Sequence, residues 1–142
     1  MIKKVLLYGA IAAVVVFVIM QLVPYGKDHT NPAPVAEPKW DSPQTRALAK
    51  RACFDCHSYE TVWPWYSTIA PGSWLIYKDV VDGREEFSFS NWEQQSKRSR
   101  KLAEMINEGQ MPPPQYLLLH PEARLSPEEK LQFIAGLQKS VP

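Results

Sequence analysis

The chain is predicted to be all-α, with one long apolar helix at its amino terminus followed by a small helical domain with long loops. Three observations predict this. Nearly all the uninterrupted apolar sequence lies before residue 24. No later run alternates convincingly at period two, so few strands or none are expected. Helix start and stop signals recur through the rest of the chain.

The first element runs from Val5 to Val23, nineteen residues with no charge and one strongly polar side chain, Gln21. As a helix it is about 28 Å long, close to the hydrocarbon thickness of a bilayer. Lys3 and Lys4 precede it and Pro24-Tyr25-Gly26 ends it, which orients the amino terminus to the cytoplasm and the remainder outside. Tyr25 suits the far interface. A cleaved signal peptide is the rival reading, but the run is longer than its apolar region and no good Ala-x-Ala site follows. A buried soluble helix would show a polar face, and this run has none.

The chain therefore divides into residues 1–24, a cytoplasmic tip and transmembrane anchor, residues 25–42, a linker, and residues 43–142, one small domain. The linker carries Pro32, Pro34 and Pro38, with Pro24 just before it, and reads as an extended spacer holding the domain off the membrane. In the domain, Ser42-Pro43 is an N-cap followed by Pro at N1, opening a helix toward Ala52. Pro71 opens another through Trp74, Leu75, Tyr77 and Val81, closed by Gly83. Ser90-Asn91-Trp92-Glu93 is a capping box for a helix ending at Gly109, with Leu102, Met105 and Ile106 as its apolar stripe. Ser126-Pro127-Glu128-Glu129 is a second capping box, before a helix expected to bury Leu131, Ile134, Ala135 and Leu137.

Charge excludes one class of partner. The net charge is +1, with no basic excess for a nucleic-acid backbone. Sixteen basic residues less Lys3 and Lys4 leave 14 against 15 acidic, a net of −1 outside the anchor. Docking to another protein then needs local patches. Lys97, Arg98, Arg100 and Lys101 form one such patch within a predicted helix, more simply read as a solvated face.

Chemistry is carried by Cys53-Phe54-Asp55-Cys56-His57, a C-x-x-C-H sequence, the attachment signature of c-type haem. Two thiols at this spacing reach the two vinyl groups of a porphyrin as thioethers, and the adjacent imidazole projects to the iron as proximal ligand. C-x-x-C alone also serves zinc and thiol redox chemistry. A thioredoxin-like site wants a βαβ pattern, which is missing, and zinc wants two more ligands where only His29 and His120 remain. A disulfide between two such close cysteines closes too small a loop to constrain the chain.

Met111 is the candidate distal ligand. It lies in Gly109-Gln110-Met111-Pro112-Pro113-Pro114, just past a helix end, on a loop that three prolines stiffen. Met/His ligation raises the reduction potential. His120 is the rival ligand, and a site without a strong sixth ligand is the third option. Met105 belongs to an apolar stripe and His29 to the linker, where it is expected to be solvated. Trp63, Trp65, Tyr66, Trp74 and Trp92 form an aromatic set suited to walling a haem, or to an ordinary core.

With these motifs in view, the sequence resembles the bacterial haem-binding domain family of membrane-anchored monohaem c-type cytochromes. The matching stretches are CFDCHSYETVWPWYSTIAPGSWLIYKDVVDGREEFSFSNW and MPPPQYLLLHPEARLSPEE, covering most of residues 48–130. The resemblance implies one covalently bound haem c, His57 as proximal ligand and an exported domain, hence a helical c-type cytochrome-like fold around one haem. The expected function is electron transfer and not catalysis, at Cys53, Cys56, His57 and Met111, with the domain on the periplasmic side of the inner membrane. Expected partners are the membrane and redox proteins, a respiratory complex being one candidate. No nucleic acid and no small-molecule substrate is expected. The alternatives are a haem-based sensor or peroxidase-like protein with an open sixth position, or a structural haem subunit of a respiratory complex.

Overall fold

Seven α-helices account for the regular structure of the described residues, 1–92 and 99–140, in a computed structural model. They are α1 (Ile2–Leu22), α2 (Pro43–Ala52), α3 (Phe54–His57), α4 (Gly72–Glu86), α5 (Ser99–Asn107), α6 (Pro114–Leu119) and α7 (Pro127–Ser140). Short 3-10 turns occupy Trp65–Thr68 and Pro121–Ala123. The all-α expectation holds: among the described residues the sole β pairing is one isolated bridge between Ala36 and Asn91.

The chain forms two compact units, one of Met1–Thr30 with Trp63–Asp79, the other of Asn31–Val62 with Val80–Pro142. In the first, α1 is long and apolar enough to cross a membrane, and none of it is buried by protein. Its carboxyl end is packed. The Gln21 amide pairs with both backbone groups of Ala70, accepting from its N–H at 2.9 Å and donating to its carbonyl at 3.0 Å. Gly26 then turns with φ +79°, and a Cβ there would lie 2.7 Å from the Ser73 carbonyl oxygen. The start of the proline-rich stretch is thus docked onto residues 63–79 within this unit. A little further on, in the second unit, the Val35 and Ala36 amides bond the Ser90 carbonyl at 2.8 and 3.2 Å. The second stretch thus satisfies backbone groups against protein, where an extended spacer leaves them to water.

The second unit is built on α2, α5 and α7. Ser42 caps α2 by accepting from the Thr45 amide at 3.2 Å, with Pro43 at N1. Ser126 and Glu129 cap α7 reciprocally: the Ser126 amide donates to the Glu129 carboxylate at 2.9 Å, and the Glu129 amide to the Ser126 hydroxyl at 3.2 Å. Glu93, the far member of the other expected capping box, lies outside the described residues. Gly109 ends α5 with φ +70°, and the Gln110 and Gly109 amides return to the Met105 and Ile106 carbonyls, the bond pair of a Schellman motif.

The core comprises Leu48, Ala49 and Ala52 of α2, Phe54, Phe87, Phe89, Trp92, Leu102 and Ile106, Leu125, and Phe133 and Leu137 of α7. The buried face of α7 differs from expectation. Leu131 is 70% exposed and Ala135 is exposed, while Phe133, Gly136, Leu137 and Ser140 are buried. The cause is the approach of α2: a Cβ on Gly136 would lie 2.1 Å from Thr45 Oγ1, so the stripe centred on Gly136 faces α2.

Candidate haem site

The short helix α3 carries Cys53-x-x-Cys56-His57, with Cys53 at its N-cap. The Cys56 and His57 amides both bond the Cys53 carbonyl, at 3.2 and 2.9 Å. One turn of helix thus gathers the three residues. The two cysteines are not joined in a disulfide, and both are partly buried. Burial, reinforced by the neighbouring Cys56, pushes the Cys53 thiol up to about 12. That is the opposite of the depressed value of a redox-active dithiol.

His57 is the most constrained member. It is 7% exposed and stacks on Phe87 with centroids 4.1 Å apart and planes 10° from parallel. Its Nδ1 lies 2.9 Å from the Gly83 carbonyl oxygen and 3.1 Å from that of Phe87. Carbonyls only accept, so Nδ1 carries the proton and Nε2 keeps its lone pair. Burial holds the imidazole below its ordinary 6.5, against the opposing pull of the two carbonyl bonds. A neutral imidazole with one nitrogen anchored to backbone and the other unprotonated is the form that ligates a metal.

Helix α4 and the chain beyond it provide this seat. The expectation that Gly83 closes the helix is overturned: α4 runs on to Glu86, and Gly83 is an interior residue. Its role is close approach, since a Cβ there would lie 2.6 Å from the Cys56 carbonyl oxygen. The next residue, Arg84, ties down the chain after the motif. It donates to the Ser58 carbonyl at 2.9 Å, to Asn31 Oδ1 at 2.7 Å and to Thr61 Oγ1 at 2.9 Å. The Phe89 amide bonds the His57 carbonyl at 2.7 Å. Gly83, Arg84, Phe87 and Phe89 are not among the expected site residues, although all four lie in the GREEFSFSNW end of the first stretch that carries the family resemblance.

The loop bearing Met111 is also connected to the motif. Met111 is half-buried, with its amide 3.2 Å from the Met105 carbonyl. Three residues of stiff chain later, α6 places the Tyr116 hydroxyl 2.6 Å from Asp55 Oδ2, inside C-x-x-C-H. Desolvation raises the Tyr116 hydroxyl well above 10, with the Asp55 hydrogen bond next in importance. Tyr116 therefore stays protonated and donates. Asp55 also accepts the Val62 amide through Oδ1, at 3.0 Å. His120 is half-buried and stacks on Tyr116 at 4.1 Å, its Nδ1 lying 3.2 Å from the Tyr116 carbonyl oxygen.

The expected aromatic set separates. Trp92 is a core residue of the second unit, stacked on Phe89 at 5.6 Å. Trp63, Trp65, Tyr66 and Trp74 belong to the first unit, where Trp65 is 76% exposed. His29 is not solvated as expected: it stacks on Trp63 at 4.3 Å, with Nε2 3.2 Å from the Ser67 carbonyl oxygen. Lys97 and Arg98 of the basic patch, and the side chain of Arg100, lie outside the described residues. Among the described residues no three His, Cys, Asp or Glu side chains cluster to hold a metal ion, so the donor set offers no zinc site. Two thiols not joined in a disulfide and the unprotonated Nε2 of His57 beside them do fit a macrocycle that brings its own iron.

A family model described as a haem-binding domain matches residues 15–139. No curated protein and no solved structure matches the chain.

Proposed function

The chain belongs to the haem-binding domain family, and from that premise we propose that it is a membrane-anchored monohaem c-type cytochrome that transfers electrons on the outer side of the cytoplasmic membrane. The observation that carries this reading is His57, buried within C-x-x-C-H, with Nδ1 bonded to the Gly83 and Phe87 carbonyls and Nε2 left free. Cys53 and Cys56 are the attachment thiols, His57 the proximal ligand and Met111 the distal ligand. A haem bound there supplies a one-electron iron couple.

The chain's own contribution is positional. The two carbonyls hold the His57 ring in one tautomer and one orientation, and Phe87 covers its face. Tyr116 holds the carboxylate of Asp55 while its own backbone continues from the Met111 loop, so the distal loop and the attachment motif are coupled by one hydrogen bond. Gly109 turns the chain at the end of α5 directly into that loop. Helix α1 has the length and composition to act as the anchor.

Two measurements test the reading. Mass spectrometry of protein made with the haem-attachment machinery is expected to show one haem that resists acid-acetone extraction. An extractable haem rejects covalent attachment. Met111→Ala is expected to lower the reduction potential and admit carbon monoxide, with His120→Ala nearly silent in the optical spectrum. The reverse pattern assigns the sixth position to His120. Carbon monoxide binding to the unsubstituted protein means an open iron, favouring the sensor or peroxidase-like role.

A further inference from the structure

Three large apolar side chains of the first unit face solvent within five residues of Ala70, which is bonded to the end of α1. Trp65 is 76% exposed, Leu75 58% and Ile69 39%. Soluble surfaces do carry single exposed apolar residues. These three are different because of what the backbone between them is attached to.

Ala70 follows Ile69 directly and is buried, and both its backbone polar groups are taken by the Gln21 amide. Gln21 is in the last turn of α1. The turn after α1 then makes a second attachment, where Gly26 comes so close to Ser73 that a Cβ is not accommodated. A third comes from Tyr25, edge-on to Tyr77 with centroids 5.3 Å apart. The stretch from Ile69 to Tyr77 is therefore fastened to the end of α1 at three points within one compact unit.

Length sets where that end lies. The uncharged part of α1 starts at Val5, after Lys3 and Lys4, and with Val23 it makes about 28 Å of helix, close to a hydrocarbon core of about 30 Å. Its last turn is then at the boundary between hydrocarbon and headgroups. The interfacial layer beyond is about 5–7 Å thick on each side, and it is the layer in which tryptophan and tyrosine are enriched. Gln21 is suited to that boundary because its amide spends its hydrogen bonds on Ala70 and on the Phe17 carbonyl, at 3.0 Å, and needs no water.

We propose that the segment from Trp65 to Leu75 is a second membrane contact, with Trp65, Ile69 and Leu75 seated in the headgroup layer of the leaflet where α1 emerges. The inference rests on α1 as the membrane span. Lipid is the occupant because the surface is bonded to the end of that span. A protein partner at the same place would have to displace a bilayer already within reach. The contact fixes the depth of the first unit through five residues on either side of Ala70, in addition to the helix itself.

The test uses the full haem-loaded chain in phosphatidylcholine–phosphatidylglycerol bilayers, spin-labelled at single introduced cysteines. Trp65→Cys and Leu75→Cys probe the contact, Val14→Cys probes the span and Leu131→Cys, on an exposed face of α7, is the aqueous reference. The unsubstituted chain sets any signal from Cys53 and Cys56. Power saturation compares accessibility to oxygen and to a water-soluble nickel chelate. Oxygen-over-nickel ratios at positions 65 and 75 several-fold above that at 131, together with a lipid-like ratio at 14, support the proposal. A lipid-like ratio at 14 with ratios at 65 and 75 equal to that at 131 overturns it and leaves the anchor intact. A water-like ratio at 14 overturns the anchor and this proposal with it.

Discussion

Gly83 serves His57 twice, through its carbonyl and through its missing side chain. The carbonyl fixes the Nδ1 proton, and the bare Cα lets α4 touch the backbone of Cys56. Alanine has nowhere to go, because the atoms 2.6–3.1 Å from the new Cβ include backbone of Cys56. Gly83→Ala is expected to destabilise the protein by about 1–3 kcal/mol, as overpacking does, and to reduce the yield of attached haem. Thermal unfolding of the haem-loaded protein measures the first and the ratio of haem absorbance to protein the second. An unchanged midpoint and full loading contradict the role assigned to Gly83. By sequence alone this glycine predicts a helix stop, because glycine suits both a helix end and a close approach, and only the neighbour across the contact distinguishes them. Gly109, read by the same rule, does stop its helix, and there nothing lies within 4 Å of a Cβ.

At the scale of elements, α2 is held by charges as well as by its apolar face. Arg46 donates to both carboxylate oxygens of Glu37, at 2.8 and 2.7 Å, and to Glu60 at 3.1 Å. Lys50 joins Glu60 at 2.8 Å. The Arg46 hydrogen bond holds the Glu37 carboxyl below its ordinary 4.5. Because the folded state depresses this group, its contribution is complete above 4.5 and is lost as pH falls through the lower folded value. These side chains are about a third exposed, so the pair contributes on the order of 1 kcal/mol or less. Denaturant titrations at pH 7 and near pH 3 are expected to show a smaller acid loss in Glu37→Gln than in the unsubstituted protein. Equal acid losses in the two proteins assign the pair no stabilising role. Helix starts were legible here because capping is local: Ser42 and Ser126 act within four residues. The buried face of α7 was not legible, because Gly136 faces α2 across a contact that the helix period alone does not register.

Charge is distributed unevenly along the chain, with an uncharged apolar run from Val5 to Val23 and a net charge of −1 over the residues that follow it. On the proposed topology, Lys3 and Lys4 keep the amino terminus in the cytoplasm, as the positive-inside rule predicts. A reporter fused after Pro142 is therefore expected to be active only if it requires export. Activity of a cytoplasm-only reporter at that position reverses the proposed topology, and a mature chain beginning beyond residue 24 removes the anchor. The docked proline-rich stretch bears on the same scale. The prolines suggested a free spacer, whereas Gln21, Gly26 and Tyr25 bind the beginning of it within the first unit.

What the sequence by itself determined is what short-range covalent and hydrogen-bond rules determine. The apolar run, the serine caps, the Gly109 turn and the spacing of Cys53, Cys56 and His57 each depend on residues a few positions apart, so they were readable without a fold. Tertiary structure alone decided which carbonyls hold His57, that Tyr116 meets Asp55 sixty-one positions away, and that Trp92 is core while Trp65 is exposed. Those outcomes depend on which distant surfaces meet, and residue type is ambiguous there: a tryptophan suits a core, a haem wall or a bilayer surface equally well. Packing resolves the ambiguity, because burial and hydrogen-bond satisfaction belong to the assembled chain and not to any stretch of it.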